Sequence, residues 1–141
     1  MKKNYFFKTS LLMIPTMAFV LMSNSGGKSG AYSGSPGDGG TTCTSCHNGG
    51  NFGASVAITH DIPDTGYLLD TNYNVTVTGS SSAAAHGFQM TAEKVSDNSK
   101  IGTLIAGSTS SLTNGNANIT HTNSSNNSWS FQWKSPTTDQ G

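Results

Sequence analysis

Beyond residue 54, apolar and polar side chains alternate with a period of two, the pattern of half-buried β-strands. Val56, Ile58 and His60 share one face of the first segment, Tyr73, Val75 and Val77 of the second, and Phe88, Met90 and Ala92 of the third. Ile101, Thr103 and Ile105 follow, then Ala117, Ile119 and His121. Trp129, Phe131 and Trp133 close the series and read as the inner face of a sandwich strand rather than a carbohydrate-stacking surface. Gly, Asn, Asp and Ser clusters separate the segments, among them Asp61-Ile62-Pro63-Asp64-Thr65-Gly66 and Gly79-Ser80-Ser81-Ser82. No stretch after the leader has a 3.6-residue period and no internal repeat is found. Six short strands joined by turns predict an all-β chain, an antiparallel immunoglobulin-like β-sandwich.

Two different segments precede this body. Residues 1–25 read as a secretory signal peptide: Lys2 and Lys3 come first, the run from Leu11 to Met22 is almost wholly apolar, and Ser23 and Ser25 offer a cleavage point. About 12 apolar residues are too few to span a bilayer, which needs about 20. Residues 26–53 form a Gly- and Ser-rich lead without apolar periodicity, expected to be flexible loop. Residues 54–141 are the sandwich.

The lead contains both cysteines of the chain, in the run Cys43-Thr44-Ser45-Cys46-His47. C-x-x-C-H is the attachment pattern of a c-type haem. Two intervening residues let one turn present both thiols to a single porphyrin edge, and the adjacent imidazole of His47 falls under the iron as proximal ligand. Other chemistries remain: Cys43 and Cys46 as a structural disulfide in an oxidising compartment, or half of a zinc site. A thioredoxin-type pair is disfavoured because the flanking Gly-Asp-Gly-Gly and Asn-Gly-Gly segments cannot open a helix. For zinc, a second C-x-x-C or a closely spaced histidine pair is missing.

The sixth iron position decides between electron transfer and ligand binding. His121 is the first candidate, since it shares a strand face with Ile119; Met90, His86 and His60 are the alternatives, and an open position is a further one. Each also has an ordinary structural role, as a hydrogen-bonded histidine or a core methionine.

Charge narrows the partners. The chain has seven basic and seven acidic residues, but Lys2, Lys3 and Lys8 belong to the leader, which leaves Lys28, Lys94, Lys100 and Lys134 against seven carboxylates, a net charge of −3. With no basic cluster, nucleic acid is excluded as a partner, and contact with a membrane is expected only through the signal peptide or a C-terminal anchor. No nucleophile with its base and no paired acids are found, so the chain is expected not to be an enzyme; Gly37-Asp38-Gly39-Gly40 lacks the lysine of a phosphate loop and reads as a turn. The N-x-S/T matches, such as Asn74-Val75-Thr76, are what chance gives in a chain this rich in Asn, Ser and Thr.

Several segments carry a resemblance. Ser33-Gly34-Ser35-Pro36-Gly37-Asp38, Thr42 through His47, His86-Gly87-Phe88-Gln89-Met90, Ile119-Thr120-His121 and Trp129-Ser130-Phe131-Gln132-Trp133 resemble bacterial reeler-like domains, and more closely the choice-of-anchor V domain proteins of Bacteroidetes-type bacteria. The resemblance runs from about Ser33 to Pro136. It implies a reeler-type sandwich placed outside the cell, with a haem-bearing or adhesive role. Such chains continue past the segment matching Trp133-Lys134-Ser135-Pro136 into another strand and an anchoring tail, so this chain is expected to be C-terminally incomplete, with an unpaired sheet edge. The functional expectation is an exported mono-haem c-type cytochrome domain, periplasmic, secreted or at the cell surface, that passes electrons to a redox partner protein or surface component, or senses a small ligand. The alternative is a non-catalytic adhesion module with a Cys43–Cys46 disulfide.

Overall fold

The computed structural model describes residues 26–47 and 50–140; the expected leader lies outside them. Among the described residues, seven antiparallel strands form two sheets: β1 (Ser55–His60), β2 (Asn72–Ser80), β3 (Gln89–Met90), β4 (Thr103–Ile105), β5 (Ser110–Thr113), β6 (Asn118–His121) and β7 (Ser128–Lys134). The larger sheet runs β1-β2-β7-β4 and the smaller β3-β6-β5. The fold is the expected all-β sandwich.

Alternation builds the core. On β7, Trp129, Phe131 and Trp133 are buried while Ser128 and Ser130 face solvent. Register sets Trp129 beside Val77, Phe131 beside Val75 and Trp133 beside Tyr73, so one face of the β2–β7 pair is a continuous apolar surface. Leu104 of β4 adds to it from beside Trp133. The small sheet closes over this face with Met90, Ile119 and Leu112, which are aligned across β3, β6 and β5.

Besides β4, where Leu104 is buried and Thr103, from the expected Ile101-Thr103-Ile105 face, is exposed, three elements differ from the sequence expectation. β5 adds a seventh strand; its Ser-Ser-Leu-Thr sequence has a single apolar side chain and so no visible alternation. Its hairpin to β6 turns through Asn114, Gly115 and Asn116, all at positive φ, a conformation that Asn and Gly adopt most readily. β1 is exposed along its whole length, including Val56 and Ile58. These side chains lie on the core-facing side, beside Gly79 and Val77, but the smaller sheet has no strand opposite them.

The third difference concerns the lead. Rather than hanging free, it lies along the outer face of the small sheet. Gln89, Thr120, Asn118 and Thr113 project from that face, and each meets the lead: Tyr32 N–H donates to Gln89 Oε1, Gly30 N–H donates to Thr113 Oγ1 at 3.2 Å, Gly27 packs on Thr120 so closely that any side chain would overlap it, and Asn118 bonds Asp38. This is why Asn118 and Thr120, on the side of β6 expected to face water, are buried together with Ile119.

Candidate functional site

Two contacts at the ends of β6 fix the course of the lead. At one end, Gly27 N–H donates to His121 O at 2.8 Å. At the other, Asp38 closes a 3-10 turn (Pro36–Asp38) and inserts a side chain that is 1% exposed. Its carboxylate accepts from Ser33 Oγ, Lys100 Nζ and Asn118 Nδ2, each at 2.5 Å. Burial alone would raise the Asp38 pKa, but these hydrogen bonds outweigh it and hold the carboxyl at about 2. Glu93 joins the cluster, accepting from Lys100 Nζ and Ser35 Oγ, both at 2.6 Å. In the sequence, residues 37–40 read as a plain turn, since a lone Asp among glycines gives no sign that it is buried.

From this clasp the chain doubles back, with Ser33 bridged to Thr42, and delivers the motif. Cys43–Ser45 is a second 3-10 turn, and both Cys46 N–H and His47 N–H donate to Cys43 O, at 3.1 and 2.9 Å. The turn winds both cysteines and His47 into one short exposed coil, and both thiols are free.

Facing the coil is a pocket of about 350 Å³ whose lining includes Cys43, Cys46, His47, His86 and His121. The structure thus brings together the motif and two of the four sixth-ligand candidates. Met90 and His60 line a different hollow, of about 280 Å³, on the far side of β3, which shares no lining residue with the first. Their face had been legible; which end of the sandwich that face adjoins had not.

The two histidines at the motif pocket differ in their hydrogen bonds. His86 Nε2 lies 3.0 Å from Ser81 Oγ, which also accepts from Ala83 N–H, so that nitrogen already has a hydrogen-bond partner within the protein. His121 Nδ1 accepts from Phe88 N–H at 3.2 Å and lies 3.3 Å from Phe88 O. With Nδ1 accepting, the proton of the neutral ring sits on Nε2; in the other tautomer Nδ1–H donates to the Phe88 carbonyl and Nε2 keeps its lone pair, and in either Nε2 meets no hydrogen-bonding partner among the described residues. Gly87 packs flat against this imidazole, where a Cβ would collide with Cε1. Behind it, the Trp129 ring lies 6.2 Å away, centroid to centroid, so the aromatic stripe of β7 reaches the site through one member.

Among the described residues, no three His, Cys, Asp or Glu side chains converge tightly enough to hold a bare metal ion. The nitrogen and sulfur donors surround a hollow instead. That arrangement fits a broad planar ligand carrying its own metal better than it fits zinc, whose ligands must meet within about 2.3 Å of one point. Among the same residues no helix is long and apolar enough to cross a membrane.

Searches of curated proteins and of solved structures returned no match. The Reeler domain family model matches residues 41–141, a segment that begins just ahead of Cys43 and ends with the sandwich. Reeler domains are in general extracellular and non-catalytic. The chain belongs to the Reeler domain family.

Proposed function

We propose that this Reeler domain is exported and carries one covalent haem c in the pocket between the lead and the β3–β6 end of the sandwich, where it passes electrons or senses a small ligand. The observation that carries the reading is the lining of one 350 Å³ pocket by Cys43, Cys46 and His47 together with His121, which lies far from that motif in sequence; these donors do not converge on a point. When bound, haem would supply one-electron redox chemistry and an iron able to take a further ligand.

The chain's own residues have distinct roles. Cys43 and Cys46 would hold the group covalently through two thioether bonds, each thiol giving its sulfur and its hydrogen to one vinyl group so that no oxidant would be needed. His47, fixed by its backbone hydrogen bond to Cys43, would hold the iron as a ligand. His121, held through Nδ1 by Phe88 and backed by Gly87, would hold the iron through Nε2 in the tautomer whose Nδ1–H donates to the Phe88 carbonyl. Asp38 and Asn118 hold the coil against the strand that bears His121.

Family membership favours a second reading, a surface interaction module in which Cys43 and Cys46 form a disulfide. Intact mass spectrometry of chain matured in a host competent for cytochrome c assembly separates the two. Haem attachment adds the mass of haem and is abolished in Cys43→Ser/Cys46→Ser; a disulfide removes only two hydrogens.

A further inference from the structure

The pocket that carries the motif has an unusual charge for this chain. Residues 26–141 hold four lysines against seven carboxylates, yet no Asp or Glu lines the pocket, and its one lysine is Lys28. The other lysines are committed elsewhere: Lys100 to Asp38 and Glu93, Lys134 to Asp70 at 2.7 Å, and Lys94 to the field of Asp97 and the wall of the hollow on the far side of β3.

Lys28 is also placed rather than loose. Gln89 on β3 uses both ends of its amide on this stretch: Nε2 donates to Lys28 O at 3.0 Å, and Oε1 accepts from Tyr32 N–H. The same clamp sets the Lys28 ammonium 5.8 Å from the centroid of the Tyr32 ring, and Tyr32 lines the pocket as well. A cation held over an aromatic ring at the exposed rim of a carboxylate-free pocket suits a ligand that keeps its apolar body inside and an anionic group at the mouth.

We propose that Lys28 is the anion anchor of this pocket and pairs with the propionate carboxylates of the haem; the inference rests on the haem reading above. It adds a recognition element that the C-x-x-C-H motif does not encode. An exposed ion pair of this kind alters affinity by about threefold to fivefold at low ionic strength.

The test is a Soret titration of the reduced full chain, produced without haem maturation, with haemin and with haemin dimethyl ester, at low salt. Wild type is expected to prefer haemin about threefold to fivefold. Lys28→Met is expected to lose that preference while binding the ester as wild type does, and Lys28→Arg and Lys94→Met are expected to keep it. Circular dichroism confirms that each variant folds. A Lys28→Met protein that still prefers haemin overturns the Lys28 assignment and leaves the haem reading standing. A wild type that binds neither compound, and carries no haem after maturation in a competent host, overturns both.

Discussion

The Asn118 amide donates to the Asp38 carboxylate at 2.5 Å, joining positions 80 residues apart. Asn118 opens the strand that ends at His121, so one short element carries both the clasp for the lead and the imidazole facing the motif. The distance between the C-x-x-C-H coil and His121 is therefore set by β6 rather than by a free tether.

Asp38 gives this clasp a pH signature. Its pKa falls from 3.8 to about 2 on folding, so its contribution to stability is fully present above pH 3.8 and is lost as pH falls from 3.8 through 2. The shift corresponds to about 2 kcal/mol. Urea denaturation followed by tryptophan fluorescence should show that loss in wild type. Asp38→Asn, which leaves Lys100 without one of its buried partners, should be less stable by a similar amount at neutral pH and lack that part of the acid dependence. Equal midpoints for the two proteins at pH 7 would refute the clasp.

Gly87 should tolerate no side chain. Gly87→Ala places a methyl against the His121 ring, and relief requires either the imidazole or the 85–88 segment to move, at a cost of about 1–3 kcal/mol. In the haem-loaded protein the Soret and visible bands should shift toward those of His121→Ala. Unchanged spectra in both variants would remove His121 from the iron.

The remaining candidates give the complementary expectation. His60→Ala and Met90→Leu alter a hollow that shares no residue with the motif pocket, so the haem-loaded spectra should stay those of wild type. His86→Ala, which removes only the Ser81 contact at the pocket wall, should leave the iron low-spin. A change to high spin in His86→Ala alone would transfer the distal role to His86.

Burial separates two isoleucines that look equivalent in the alternation. Ile119 is 0% exposed at the centre of the small sheet, and Ile119→Ala should cost about 2–5 kcal/mol. Ile58 is 50% exposed on β1, and Ile58→Ala should cost less than about 1 kcal/mol. Chemical denaturation of the two variants measures the difference directly.

These contrasts mark what can be read from this sequence. The alternation of Trp129, Phe131 and Trp133 exposed β7 at once, because three large aromatics at period two have few other uses. β5 escaped notice since Leu112 is its only apolar residue, although Asn114-Gly115 is a hairpin signal in its own right. Val56 and Ile58 had the pattern of a buried face, yet pattern reports which side chains share a face and not whether a second layer covers it. Parity likewise grouped His121 with Ile119 and Met90 with Phe88, but only the topology shows that His121 adjoins Cys43 and Met90 does not. Asp38 was illegible, since its partners Lys100 and Asn118 are distant in sequence and meet it only through the docking of the lead.

The most direct test of the account is the pyridine haemochrome of chain matured in a cytochrome c-competent host, then denatured and extracted with acidified acetone. We expect the haem to remain with the polypeptide and to give the spectrum of a porphyrin whose two vinyl groups are both saturated by Cys43 and Cys46. Haem that extracts fully into the solvent, or a matured chain carrying none while a control cytochrome is loaded, would contradict it.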